Sequence, residues 1–202
     1  ETLEDRRLLA TIDLASLGTA GITINGADIG DQSGWSVSNA GDMNGDGYDD
    51  LAIGAPQADA AGNGKPTAGE TYVVFGSANP TGPIDLANLG TAGVKIYGVD
   101  AGDQSGYSVS GLGDVNGDGF DDLAIGSPKG RGLGNSKTDA GEAYIIFGRS
   151  TFSGSIDLAS LGSAGVVIYA DDAYDASGFA LAGAGDVNGD GFEDVVVGAP
   201  GA

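Results

Sequence analysis

The chain has 202 residues, of which 29 are acidic and 8 basic, for a formal net charge of −21. That balance excludes nucleic acid and anionic membrane as partners, since both demand a basic surface, and leaves cations or basic groups as its complements. There is no cysteine and no histidine, which removes disulfides, thiolate chemistry, the commonest general base and the usual zinc ligands.

In chain order, residues 1–11 read as an N-terminal arm. The segment "IDLASLGTAG" at Ile12 then returns as "IDLANLGTAG" at Ile84 and "IDLASLGSAG" at Ile156, with both offsets equal to 72. The chain therefore divides into repeats 12–83 and 84–155 and an incomplete 156–202. Each "IDLASLG" reads as a short helical turn or a loop that packs its leucines.

Four strands follow in the second repeat: "VKIYG" (Val94 to Gly98), "YSVSGLG" (Tyr107 to Gly113), "DLAIGS" (Asp122 to Ser127) and "EAYIIFG" (Glu142 to Gly148). Each is rich in β-branched or aromatic residues and bounded by Gly, Pro, Asn or Asp. Pro56, Pro128 and Pro200 end the "LAIG"-type strands by removing a ladder donor. The Gly/Asn/Lys-rich stretch that follows reads as an exposed loop. "YVVF" (Tyr72 to Phe75) and "YIIF" are unbroken apolar runs, suited to strands covered on both faces. A four-stranded antiparallel unit that must stack on its neighbours predicts an all-β fold, a partial β-propeller. No apolar run approaches the roughly 18 residues of a membrane span.

Between the "SVS"-type and "LAIG"-type strands lies an acidic loop, three times over: "DMNGDGYDD", "DVNGDGFDD" and "DVNGDGFED". Counting from its first residue, side-chain oxygens fall at positions 1, 3, 5 and 9. They belong to Asp42, Asn44, Asp46 and Asp50, then Asp114, Asn116, Asp118 and Asp122, then Asp186, Asn188, Asp190 and Asp194. Alternate spacing lets the first three converge, glycine at position 6 allows the tight turn, and the carbonyls of Tyr48, Phe120 and Phe192 offer a backbone oxygen. Such an all-oxygen set suits a hard cation of irregular coordination, calcium before magnesium, with one ion expected per loop. An EF-hand is excluded, because position 12 is Ile53, Ile125 or Val197 where that motif needs glutamate. The acids at position 8 (Asp49, Asp121, Glu193) are expected to be solvated, as are Asp28, Asp31, Asp100, Asp103, Asp172 and Asp175.

Together these residues resemble the FG-GAP repeats of integrin alpha subunits and many bacterial surface proteins. The match joins "GWSVS", the loop D-x-N-x-D-G-x-x-D, "GAP" at Gly54-Ala55-Pro56 and "GETYVVFG" or "GEAYIIFG". It departs at Ser33, Ser105 and Ser177, where the family has phenylalanine, and at Gly126-Ser127-Pro128. "LEDRRLL" (Leu3 to Leu9) resembles the LEPRxLL motif of large bacterial exported proteins, with Asp5 at the proline.

The resemblance implies blades ordered with "GWSVS" innermost, then "LAIG", "YVVF" and the "VKIYG"-type strand of the following repeat. It leaves "ITING" (Ile22 to Gly26) as an orphan outer strand, and the blade edges open to further blades or to self-association. It implies an extracellular, calcium-binding, non-catalytic module for adhesion to a protein or glycan. The alternative is a carbohydrate-binding accessory module of a larger secreted enzyme. Trp35 and Tyr107 are its stacking candidates, although core packing is the expected role of both.

Overall fold

The structure, a computed structural model, describes residues 21–80 and 82–202. The arm, "LEDRRLL" and the first "IDLASLG" lie outside the described residues.

The first blade is built from β2 (Ser36–Gly41), β3 (Asp50–Ala55), β4 (Glu70–Val74) and β6 (Gly93–Tyr97), all antiparallel. The second repeats it with β7 (Ser108–Gly113), β8 (Asp122–Ser127), β9 (Glu142–Ile146) and β11 (Gly165–Tyr169). The register is conserved between them: Leu51 lies opposite Val74, and Leu123 opposite Ile146. β12 (Ala180–Gly185) and β13 (Asp194–Gly198) form the hairpin of a third blade. The fold is thus all-β, in the expected blade order, with a four-residue α-helical turn at Ala60–Asn63 and a few 3₁₀ turns among the described residues. Among the described residues no helix is long and apolar enough to cross a membrane.

Two features depart from the expectation. The second and third "IDL" segments each begin with a short strand that runs parallel to the outer strand of the preceding repeat: β5 (Ile84–Asp85) beside β1 (Ile24–Asn25), and β10 (Ser155–Asp157) beside β6. The "ITING" strand is therefore partnered by β5. Only after these two strands does each segment turn into 3₁₀ helix, at Leu86–Asn88 and Leu158–Ser160. Asp85 and Asp157 cap these turns by accepting from the N–H of Ala87 and Ala159, each at 3.0 Å. The other departure is the stretch after β3, whose Ala58, Ala60 and Ala68 are fully buried and so do not form a wholly exposed loop.

Alternation along the strands explains the unbroken apolar runs. Val73 of β4 packs with Leu123, Ile125, Tyr144 and Ile146 of the second blade, while Tyr72 and Val74 face the opposite way, with Ile53 and Leu86. Ala124 and Ile145, on the far face of the second blade, meet Leu181 and Val195 of the third. Each middle strand is therefore covered on both sides, and the core is the set of interfaces between blades.

Those interfaces are also hydrogen-bonded through the inner strands. Ser36 Oγ donates to the carbonyl of Gly106 at 2.8 Å, and Ser108 Oγ to that of Gly178 at 2.7 Å. The glycines of the first "GAP" and of "GSP" sit at these points: a Cβ on Gly54 or Gly126 would overlap the Gly106 or Gly178 carbonyl oxygen.

Candidate metal centre

Each acidic loop leaves its inner strand through a bulge, between Asn39 and Gly41 and at the equivalent Gly111/Gly113 and Gly183/Gly185. The first aspartate organises the turn. Asp42 Oδ1 accepts from the N–H of Gly45 (2.7 Å) and Asp46 (3.0 Å), and Oδ2 from Gly47 (2.8 Å). Asp114 repeats this with Gly117, Asp118 and Gly119, and Asp186 with Gly189, Asp190 and Gly191. These amides, Gly191 first, hold the Asp186 carboxyl below its ordinary range.

Positions 3 and 5 are tied together in the same way each time. Asn44, Asn116 and Asn188 accept through Oδ1 from the N–H two residues on, at 2.8 Å in every loop. Asp46, Asp118 and Asp190 accept from the N–H of Tyr48, Phe120 and Phe192 at 3.0 Å. Positions 1, 3 and 5 therefore share one turn, as their spacing predicts.

Position 9 lies beneath the turn and joins strands. Asp122 is fully buried; its Oδ2 accepts from Val115 N–H at 3.0 Å and its Oδ1 from Gly148 N–H at 2.9 Å. Asp50 does the same with Met43 and Gly76. The glycine that closes "YVVFG" or "YIIFG" thus anchors the third strand to the loop. In the third loop Asp194 accepts from Val187 at 2.9 Å, while Asn188 Nδ2 approaches its Oδ1 at 3.5 Å.

Burial pushes Asp50 and Asp122 up to about 6. The amide hydrogen bonds oppose that shift, and the other two carboxylates of each loop add to it by repulsion. A cation would reverse the effect. The donor set of carboxylates and one amide is all-oxygen and fits a hard cation such as calcium. The side chains are turned onto backbone amides, and among the described residues no group of three or more His, Cys, Asp or Glu is gathered to hold a metal.

Several acids expected in solvent have structural partners instead. Asp121 Oδ2 accepts from the N–H of Asp42 in the preceding blade at 2.7 Å, whereas Asp49 is exposed as expected and accepts from Asn39 Nδ2 at 2.9 Å. Asp103 and Asp31 are buried. The Asp103 carboxylate accepts from the N–H of Asp100 at 3.0 Å, and burial first, then Glu142 and Asp100, raises it to about 7. The Asp100–Asp103 turn is local and recurs as Asp172–Asp175, whereas the Asp121 bond carries no sequence mark because it depends on which blade packs where.

Asp103 makes a pH prediction. Its folded pKa lies above the unfolded value, so the folded chain holds more protons between about pH 4 and 7, and this group's contribution to stability falls as the pH rises through that window. Asp103→Asn keeps the acceptor and removes the charge. Urea melts are expected to coincide near the bottom of the window and to favour the variant by on the order of 2 kcal/mol at about pH 8.

Trp35 is half exposed, which overturns core packing for it, whereas Tyr107 is partly buried; Phe179, at the equivalent place in the third blade, is also half exposed. Trp35, Tyr107 and Phe179 instead form a row across the blades, with ring centroids 5.5 and 5.1 Å apart.

The FG-GAP repeat profile matches residues 33–74, 105–146 and 177–202. Phosphatidylinositol-glycan-specific phospholipase D of Bos taurus is 36% identical over 168 residues, covering 83% of this chain and 18% of that protein. Integrin alpha-PS2 of Drosophila melanogaster is 31% identical over 188 residues, covering 87% of this chain and 12% of that one. Integrin alpha pat-2 of Caenorhabditis elegans is 37% identical over 113 residues, covering 54% and 8%. The chain spans less than a fifth of the length of these curated relatives. With the profile covering more than half of its residues and the blades built as that repeat requires, the chain belongs to the FG-GAP repeat family.

Proposed function

We propose that the chain is a calcium-stabilised interaction module working outside the cell or at its surface, presenting loops on rigid blades to a protein or glycan. The observation that carries it is the same hydrogen-bonded D-x-N-x-D-G-x-x-D turn, built three times at one structural position. In each, positions 1, 3, 5 and 9 would hold the ion: Asp42, Asn44, Asp46 and Asp50, and their counterparts. Calcium would supply a hard positive charge that relieves carboxylate repulsion. The protein supplies the rest: the position 9 aspartates of the first two loops join loop, second strand and third strand, so stiffening the turn stiffens the blade.

The integrin relatives support adhesion. The phospholipase D relative favours a second reading, a non-catalytic module beside a secreted enzyme's catalytic domain. Both readings share the calcium-dependent fold. At 100 times Kd each site adds about 2.7 kcal/mol. Removing calcium with EDTA is expected to lower Tm by at least about 5 °C for a chain of this size, with magnesium restoring little. An identical melt with and without calcium would sink the proposal.

A further inference from the structure

The blades are near-copies, so positions 72 apart act as internal controls, and one inter-blade pocket departs from its counterpart. It has a volume of about 250 Å³ and lies between the second and third blades, where Tyr107, Tyr174 and Phe179 form walls around Gln104, Lys129 and Asp139. At the equivalent places between the first two blades, Tyr174 is matched by Gly102, Lys129 by Gln57 and Asp139 by Thr67. Three inert or small residues have thus become an aromatic ring, an ammonium and a carboxylate around one cavity.

Tyr174 carries the strongest signal. Gly30 and Gly102 have φ of 100° and 92°, the left-handed conformation natural to glycine, yet Tyr174 is held there at φ 71°. Its N–H donates to Thr138 O at 2.9 Å, and its side chain stands 66% exposed. A bulky residue in a conformation suited to glycine is strained, and such strain gathers at binding sites. The left-handed φ values of Gln104, Asp139 and Ala176 recur at the equivalent Gln32 (60°) and Thr67 (50°) and belong to the blade design, so Tyr174 alone sets this cavity apart in backbone conformation. The walls are set by backbone bonds: Phe179 N–H to Ala176 O at 3.1 Å, and Tyr107 N–H to Gln104 O at 3.2 Å. Among the described residues, the side chains of Gln104, Lys129 and Asp139 bond to no protein group, which leaves their donors and acceptors for a ligand.

We propose that this pocket binds one neutral sugar ring of a glycan, with its C–H face on the aromatic walls and its hydroxyls on Gln104, Lys129 and Asp139. Charge decides between ligand classes. Lys129 and Asp139 balance each other, so the lining favours no net charge, while a chain of −21 disfavours anions. A cationic side chain would meet the Lys129 ammonium. The cavity is below the size that drug-like molecules fill, which leaves room for a single ring. Amphipathic aromatic walls with a few directed polar groups match a pyranose, apolar on one face and polar at its rim. The proposal rests on the chain being an interaction module, but not on calcium.

The test titrates neutral methyl pyranosides (glucoside, galactoside, mannoside, N-acetylglucosaminide) and N-acetylarginine amide into the full chain, read by saturation-transfer NMR. The proteins are the wild type, Tyr174→Gly and Lys129→Gln, each with calcium and with EDTA. Tyr174→Gly restores the residue of the other repeats and relieves strain, so its Tm is expected to be unchanged or higher. At least one pyranoside is expected to bind the wild type and to bind Tyr174→Gly at least tenfold more weakly. Binding of none, binding insensitive to Tyr174→Gly, or binding of the arginine amide alone would overturn the proposal. A calcium-independent melt in the same samples would count against the calcium reading, whereas the sugar result is read separately.

Discussion

Asp122→Ala is expected to destabilise the chain by about 2–5 kcal/mol in EDTA, before calcium enters. The side chain is fully buried and satisfies two amides at once, Val115 N–H from the loop and Gly148 N–H from the strand end beyond β9. Alanine leaves both without an acceptor, and each unsatisfied buried N–H costs about 1–3 kcal/mol. Asp118→Ala is the control. It is exposed and accepts from Phe120 within its own turn, so in EDTA it is expected to cost less than about 1 kcal/mol. Urea melts of both variants, with and without calcium, separate the roles: Asp122 matters in either condition, Asp118 mainly when calcium is present. Equal losses in EDTA would show that position 9 is not the strand anchor.

Gly126→Ala is the second large effect. Gly126 approaches the next blade so closely that a Cβ would overlap the Gly178 carbonyl oxygen and crowd Ser108 Oγ. That hydroxyl donates to the same carbonyl at 2.7 Å. The added methyl must push the second and third blades apart or break their bridge, and overpacking of this kind costs about 1–3 kcal/mol. The loss of the hydrogen bond brings the expected total to about 3 kcal/mol. The neighbouring Ser127→Ala in the same "GSP" is a milder change, since Ala55 occupies that place in the first blade, fully buried. A Gly126→Ala melt equal to wild type would mean that the blades are not locked through this glycine.

Much of this was legible in the sequence because repetition and local hydrogen bonding carry it. The 72-residue period, the strand after each acidic loop and the hydrogen-bonded turn that Asp42, Asn44 and Asp46 share all depend on residues close in sequence. The parallel pairings of β5 with β1 and of β10 with β6 were not legible, since they join segments about a repeat apart through backbone alone. Nor was the bond from Asp121 to the backbone of Asp42, which exists only because two blades pack in one register. Asp31 and Asp103 read as surface acids because burial of a carboxylate leaves no mark in composition. Trp35 read as core because a large aromatic beside a strand usually is; the row it forms with Tyr107 and Phe179 is a property of stacked blades.

The proposed function requires each D-x-N-x-D-G turn to hold one calcium ion. Isothermal titration of calcium into the metal-stripped chain tests it most directly. About three ions per chain are expected, with one lost in Asp118→Ala and the fold retained; no calcium heat at millimolar concentration, or a stoichiometry unchanged by Asp118→Ala, would overturn the calcium assignment.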